Sequence, residues 1–219
     1  WPGIASIQIT SPNGTWHMCA GALIDRLWVL TAANCFSRAG SDPKWKVVIG
    51  ATDLGQPGPK AKGFQVKRIL VHKSYDARTS WNNIALLELQ QPVECSDYIQ
   101  LACVPDSSLA VPKLRTCYIA GWRATPDSAP EPSSAVGMQP GTQLWQGWVA
   151  QEGLAAAPDP SLPAQGDSGG PLVCKDNHGD HFWLVGLASW GKGCARARRP
   201  GIFTSTQHFR GWICDQTGL

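Results

Sequence analysis

Charge is scarce in this sequence: Asp, Glu, Lys and Arg make up 16% of the 219 residues, and the formal net charge is only +3. So mild a balance gives no reason to expect nucleic acid as a partner, and neither an RNP-like motif nor a basic helix is there to carry that reading. No apolar run reaches the length needed to span a bilayer. A start methionine and a charged leader are also missing; the chain opens at Trp1-Pro2-Gly3, and the expectation is a processed or incomplete product.

What is present points to short strands. With 43% hydrophobic residues the chain can bury a sizeable core, and 23 Gly with 17 Pro imply many turns, which favours an all-β protein over a helical bundle. Eight cysteines fit an oxidising compartment, so secretion or a secretory vesicle is the simplest location, although spacing alone leaves 105 pairings open. Asn13-Gly14-Thr15 is a glycosylation acceptor, with an unmodified polar turn as the alternative. His178 and His181 follow Cys174 at spacings that superficially resemble a metal site, but no fourth ligand is evident. Neither a metal nor a cofactor is expected.

Apolar or alternating stretches at 4–9, 20–24, 28–31, 45–49, 64–71 and 85–89, separated by Gly, Pro, Asn and Asp, predict six strands and one small barrel over residues 1–105. Residues 106–219 repeat the style at 116–122, 172–174, 182–189 and 201–204, then close in an amphipathic helix over 207–217. The crossover falls at 102–114. Residues 123–164, with seven prolines among Ala, Gly and Ser, are expected to be mostly loop, with one strand conceivable at 143–149.

The sharpest motif is Gly166-Asp167-Ser168-Gly169-Gly170-Pro171, a serine held in glycines so that its hydroxyl and the neighbouring N–H groups, those of Gly166 and Ser168 among them, can face a common oxyanion-binding point. It occurs with Trp28-Val29-Leu30-Thr31-Ala32-Ala33-Asn34-Cys35, Asn83-Ile84-Ala85-Leu86-Leu87 and Ser189-Trp190-Gly191. In chain order these motifs resemble the landmarks of the chymotrypsin/trypsin family of serine proteases, over nearly the whole chain. The resemblance implies two six-stranded antiparallel Greek-key barrels with a C-terminal helix. Within the family, residues 189–201 and the pair Cys95 and Cys103 are most similar to acrosin, a sperm acrosomal protease.

Departures from the family pattern shape the functional expectation. The family's histidine base falls at Asn34 and its orienting aspartate at Asn83. In triads of this family, replacing the aspartate alone by asparagine lowers turnover by about 10⁴, a magnitude taken over from the family and not from this chain. Losing the base is worse, because a carboxamide cannot take the Ser168 proton near neutral pH; disabling such a unit costs about 10⁶, or roughly 8 kcal/mol of barrier. Asn34 and Asn83 are therefore expected to form a neutral amide pair in the old triad space.

The acidic residue at the base of a trypsin-like specificity pocket falls at Leu162, so the pocket formed with Ser189, Trp190, Gly191 and Gly201 loses its preference for Lys or Arg. The resemblance also implies bridges Cys19–Cys35 and Cys117–Cys174, an orphaned Cys194, and a covalent light chain through Cys95 and Cys103, against a mutual bridge or free thiols. A short N-terminal segment organises the oxyanion hole in active members of the family; this sequence does not show it, and the expectation is that Asp167 needs another partner. Lys192, Arg196, Arg198 and Arg199 form a basic run that is either simply solvated or suited to sulfated glycoproteins.

The expectation is thus a catalytically inactive, acrosin-like homologue, secreted or acrosomal, that binds a sulfated glycoprotein or a protein partner. The alternatives are an active endopeptidase that retains Ser168 with an unusual base, or an active enzyme disabled by engineering.

Overall fold

A computed structural model describes residues 1–12, 14–37, 44–122, 136–141, 154–157, 168–189 and 201–219, with the backbone alone at 136–141, 154–157 and 201–202. Strands β1 (Ile4–Ser11), β2 (Gly14–Asp25), β3 (Trp28–Thr31), β4 (Lys44–Ile49), β5 (Lys62–Val71) and β6 (Ala85–Leu89) close into an antiparallel barrel in the order β1-β2-β3-β6-β5-β4. Strands β7 (Cys117–Gly121), β8 (Val136–Gly141), β9 (Leu154–Ala157), β10 (Pro171–Lys175), β11 (Phe182–Ser189) and β12 (Gly201–Ser205) form a six-stranded sheet ordered β8-β7-β10-β11-β12-β9, and helix α1 (Arg210–Thr217) follows. The fold is mostly β, as the turn-rich composition requires.

The barrel strands show why the motif residues are continuously apolar and do not alternate. Ala5, Ile7, Leu23, Val29, Val47, Ile49, Phe64 and Leu87 point inward and fill the barrel. Their neighbours Ala22, Trp28, Leu30 and Leu86 point outward, yet they are buried too, against Val173, Leu184 and Leu187 of the second sheet and Phe209 and Ile213 at α1. A strand covered on both faces has no polar side to present. The interface between the two sheets is therefore built from the outer face of β2, β3 and β6, and the loops at the ends of those strands meet there.

Two expectations are corrected. Residues 123–164 were read as mostly loop, but they contain β8 and β9, which sit at the two ends of the second sheet and pair with β7 and β12 respectively. An end strand needs a ladder on one side only and tolerates Gly137, Pro140 and Gly141, so the alternation used to find strands is not required of it. The strand considered at 143–149 lies outside the described residues. The helix begins at Arg210 and not at 207, because residues 207–209 form a turn in which Arg210 N–H bonds to Gln207 O at 3.3 Å. Among the described residues β8 and β9 do not pair, and the second sheet stands beside one closed barrel.

Candidate active site

Ser168 stands just before β10 on a turn whose shape is dictated by Gly169, at φ +79°. A Cβ at position 169 would strike the Thr31 hydroxyl and would come 2.5 Å from Ala20 O and 2.9 Å from Ala32 N, so only glycine fits this close approach between the two sheets. The turn is fastened on three sides. Gly169 N–H bonds to Ala188 O at 2.7 Å, Ala188 N–H bonds to Gly170 O at 2.8 Å, and Ala20 N–H bonds to Ser168 O at 3.0 Å. Thr31 Oγ1 donates to the carbonyl oxygen of Ala20 at 2.7 Å, so the turn and the end of β3 are anchored on the two sides of one residue.

Asn34 lies on a short 3₁₀ turn, Ala33–Phe36, that leaves β3 and is tied to β2 by the disulfide Cys19–Cys35. Asn83 is fully buried immediately before β6, after Asn82 at φ +53° has turned the chain inward. The Ser168 hydroxyl donates to Asn34 Oδ1 at 2.8 Å. Asn34 backbone N–H donates to Asn83 Oδ1 at 2.8 Å, and Asn83 Nδ2 donates to Ser189 Oγ at 2.7 Å. Thr204 Oγ1 completes the enclosure with a 3.1 Å bond to Asn83 O.

These bonds fix the orientation of the Asn83 amide. A backbone N–H can only donate, so the atom facing Asn34 N is the oxygen, and the NH₂ group faces Ser189, whose hydroxyl oxygen accepts. The expected pairing of the two carboxamides with each other is not what the structure has. Asn83 spends its amide on the Asn34 main chain and on Ser189, while Asn34 turns its carbonyl oxygen to Ser168. A buried amide needs both a donor and an acceptor partner, and Asn83 finds them in the Asn34 main-chain N–H and the Ser189 hydroxyl.

Ser168, Asn34, Asn83 and Ser189 form a connected line of neutral groups. Nothing in that line takes up a proton near neutral pH: an amide oxygen accepts a hydrogen bond from a serine but does not remove its proton. Ser168 Oγ–H is thereby held as a donor.

The family described as Trypsin matches residues 1–213. The chain belongs to the trypsin family. Its serine protease domain accounts for a closed barrel and a second sheet that meet at Ser168.

For this trypsin-family chain the remaining sequence readings fall as follows. Cys117 and Cys174 are joined across β7 and β10, with Cα atoms 4.0 Å apart. Cys95 and Cys103 are exposed free thiols, and Cys214 is free and half-buried. Ser189 closes β11 with its hydroxyl committed to Asn83, and Gly201 opens β12 opposite Ala157. Gly166, Leu162, Trp190, Gly191, Cys194, Asp167, Asn13 and the basic run Lys192, Arg196, Arg198 and Arg199 lie outside the described residues. Cys174, being bridged, is no metal ligand, and no cluster of metal-binding side chains occurs among the described residues. In the hairpin beside it, Asp176 accepts from Trp183 Nε1 and from the backbone N–H groups of His178 and Gly179, which hold its carboxyl down to about 2. No described helix is long and apolar enough to cross a membrane.

Three supporting residues escaped the sequence reading: Thr31 and Thr204, and Ser189 in its role as partner of Asn83. A signal for them existed. Each is a hydroxyl residue at or near the end of a largely apolar strand, and each is at most 1% exposed. A polar side chain in that setting must have a partner nearby.

Proposed function

We propose that this trypsin-family chain is a catalytically inactive, acrosin-like protease homologue that works as a binding protein. The observation that carries the reading is the 2.8 Å bond from Ser168 Oγ to Asn34 Oδ1, backed by the buried Asn83 amide. Where the family's pattern has a histidine base and an orienting aspartate, this chain offers two carboxamides, which take no proton at neutral pH. Leu162, in place of the acidic residue beneath the specificity pocket, removes the attraction for Lys and Arg side chains independently of the first change.

The partner is a sulfated glycoprotein or another protein of the same compartment, and the compartment is secretory, the acrosome by resemblance. Two disulfides support an oxidising environment. Cys95 and Cys103, both free and exposed in the chain, support a covalent light chain attached through these thiols.

The test is hydrolysis of a panel of activated peptide esters, with basic, aromatic and small residues at the cleaved position, by the native protein with any attached light chain beside an active trypsin. Rates at the buffer background for all esters are expected. Turnover that disappears in a Ser168→Ala variant would establish the rival reading, an active endopeptidase with a base other than Asn34.

A further inference from the structure

The first barrel carries a groove that plays no part in the Ser168 site. β4 pairs with β5 only from Lys46 onward, while β5 beyond Gln65 pairs with β6, so β4 and β5 part company. Between them lies an open groove of about 500 Å³ with Lys44 and Trp45 on one bank and residues 65–69 on the other. It sits toward the Trp28–Glu88 end of the β3–β6 ladder, whereas Thr31, paired with Ala85, marks the end that reaches the candidate active site.

A bulge in β5 between Val66 and Arg68 shapes the charge of this groove. The extra residue turns two consecutive cations toward one carboxylate: Lys67 Nζ lies 2.6 Å from Glu88 Oε1, and Arg68 Nε is paired with Glu88 Oε2. These bonds, that of Lys67 first, hold the Glu88 carboxyl below its ordinary range. Glu88 is only 11% exposed at its side chain, while Lys67 and Arg68 are 59% and 54% exposed, so the carboxylate is covered and the cations face water. On β4, Lys44 and Lys46 are two residues apart and so share a face, with their Cα atoms about 7 Å apart along the strand. The Lys46 stem leans over Gly63, where a Cβ would come 2.6 Å from its Cε. Among the described residues, Lys44, Lys67 and Arg68 line the groove and Lys46 stands beside it, four cations against one carboxylate and a formal +3 for this face.

We propose that this groove binds a sulfated polysaccharide. Sulfates remain charged at any physiological pH, and a flexible chain of them can meet exposed ammonium groups spaced along two diverging strands, with Gln65 and Gln90 beside them as hydrogen-bonding partners for sugar hydroxyls. A single-stranded nucleic acid gains much of its affinity from aromatic faces on which bases stack. Trp45 in the groove wall and Trp28 beneath Arg68 are only 8% and 6% exposed and offer none. A peptide needs apolar pockets for its anchors, and the apolar wall residues Val66 and Ile69 are packed on the barrel core. The proposal extends the reading of the chain as a binding protein but stands or falls separately: ester hydrolysis reports on Ser168, and glycan binding reports on the groove.

The experiment is fluorescence anisotropy of a labelled heparin-derived oligosaccharide titrated with the full chain at several salt concentrations. Affinity should weaken as salt rises. The triple variant Lys44→Gln/Lys46→Gln/Lys67→Gln should bind roughly tenfold more weakly or worse, while the charge-matched Lys113→Gln/Arg115→Gln/Lys175→Gln should stay within roughly twofold of native. Should the first triple fail to fold by circular dichroism, Lys44→Gln/Lys46→Gln, which leaves Glu88 paired, carries the test with an expected loss of roughly fivefold. Equal losses from the two triples would overturn the proposal in favour of general charge attraction. Undiminished binding of desulfated heparin, or tighter binding of a single-stranded DNA of equal charge, would overturn it as well.

Discussion

The seat of Ser168 and the position that would activate it are a few ångströms apart, and they are built to different standards. The seat is a set of backbone constraints: Gly169 at positive φ, its N–H on Ala188 O, Ser168 O on Ala20 N–H, and a gap too tight for any Cβ. The activating position is a set of side chains, Asn34 and Asn83, whose bonds are complete but carry no charge. The comparison teaches that holding a nucleophile and making it reactive are separate tasks. The backbone geometry that holds it also packs the two sheets together, so the fold depends on it. A carboxylate can be exchanged for an isosteric amide at little cost to packing, because a carboxamide fills its space and spares the fold a buried charge.

The largest expected effect breaks the comparison by placing charge at the activating position. If the seat is intact, Asn34→His/Asn83→Asp should hydrolyse activated peptide esters, and Asn34→His alone should remain about 10⁴ slower than the double variant. In the single variant the Asn83 oxygen stays on the backbone N–H of position 34, which leaves only an NH₂ group to meet the ring. That contact selects the tautomer with its proton toward Ser168, where a lone pair is needed. Steady-state ester hydrolysis of both variants decides the matter.

A smaller effect tests the seat itself. Gly169→Ala forces a Cβ against Thr31, Ala20 and Ala32 from a backbone region that L-residues avoid, and should cost about 3 kcal/mol of stability in denaturant unfolding. Gly211→Ala, on α1 with open space around it, should be neutral or slightly stabilising.

The smallest effect lies at a third place, where α1 closes the structure. His72 packs between the Phe209 and Trp212 rings at 5.3 and 5.2 Å. Burial there, and then the neighbouring charges of Lys73 and His208, lower its pKa below 6.5. The folded chain therefore binds this proton less readily than the unfolded one. The stability contribution is complete above the unfolded value near 6.5 and declines as pH falls through it toward the lower folded pKa. Urea midpoints between pH 7.5 and 5 should fall less in His72→Gln than in the native chain.

The same division between backbone and side chain explains how much could be read from sequence. Strands 28–31, 85–89 and 182–189 were found to the residue because continuous apolar runs bounded by turn residues have few other readings. β8 and β9 were missed because an end strand needs neither alternation nor freedom from proline. Ser168, Asn34 and Asn83 were legible as one site because their flanking motifs are distinctive. Their actual bonds were not, since whether Asn83 meets the side chain or the main chain of residue 34 depends on where a 3₁₀ turn places one N–H. The bulge that sets Lys67 and Arg68 on a single carboxylate was invisible for a similar reason: it is a property of the pairing with β6, not of β5 alone.

The central claim is that Ser168 is held but not activated, and its most direct test is covalent labelling of the native chain, with any light chain attached, by a fluorophosphonate probe beside active trypsin. The account predicts no labelling at Ser168 on the timescale that saturates trypsin, and labelling in the Asn34→His/Asn83→Asp variant. Rapid labelling of Ser168 in the native chain would mean that another group removes its proton, and would contradict the account.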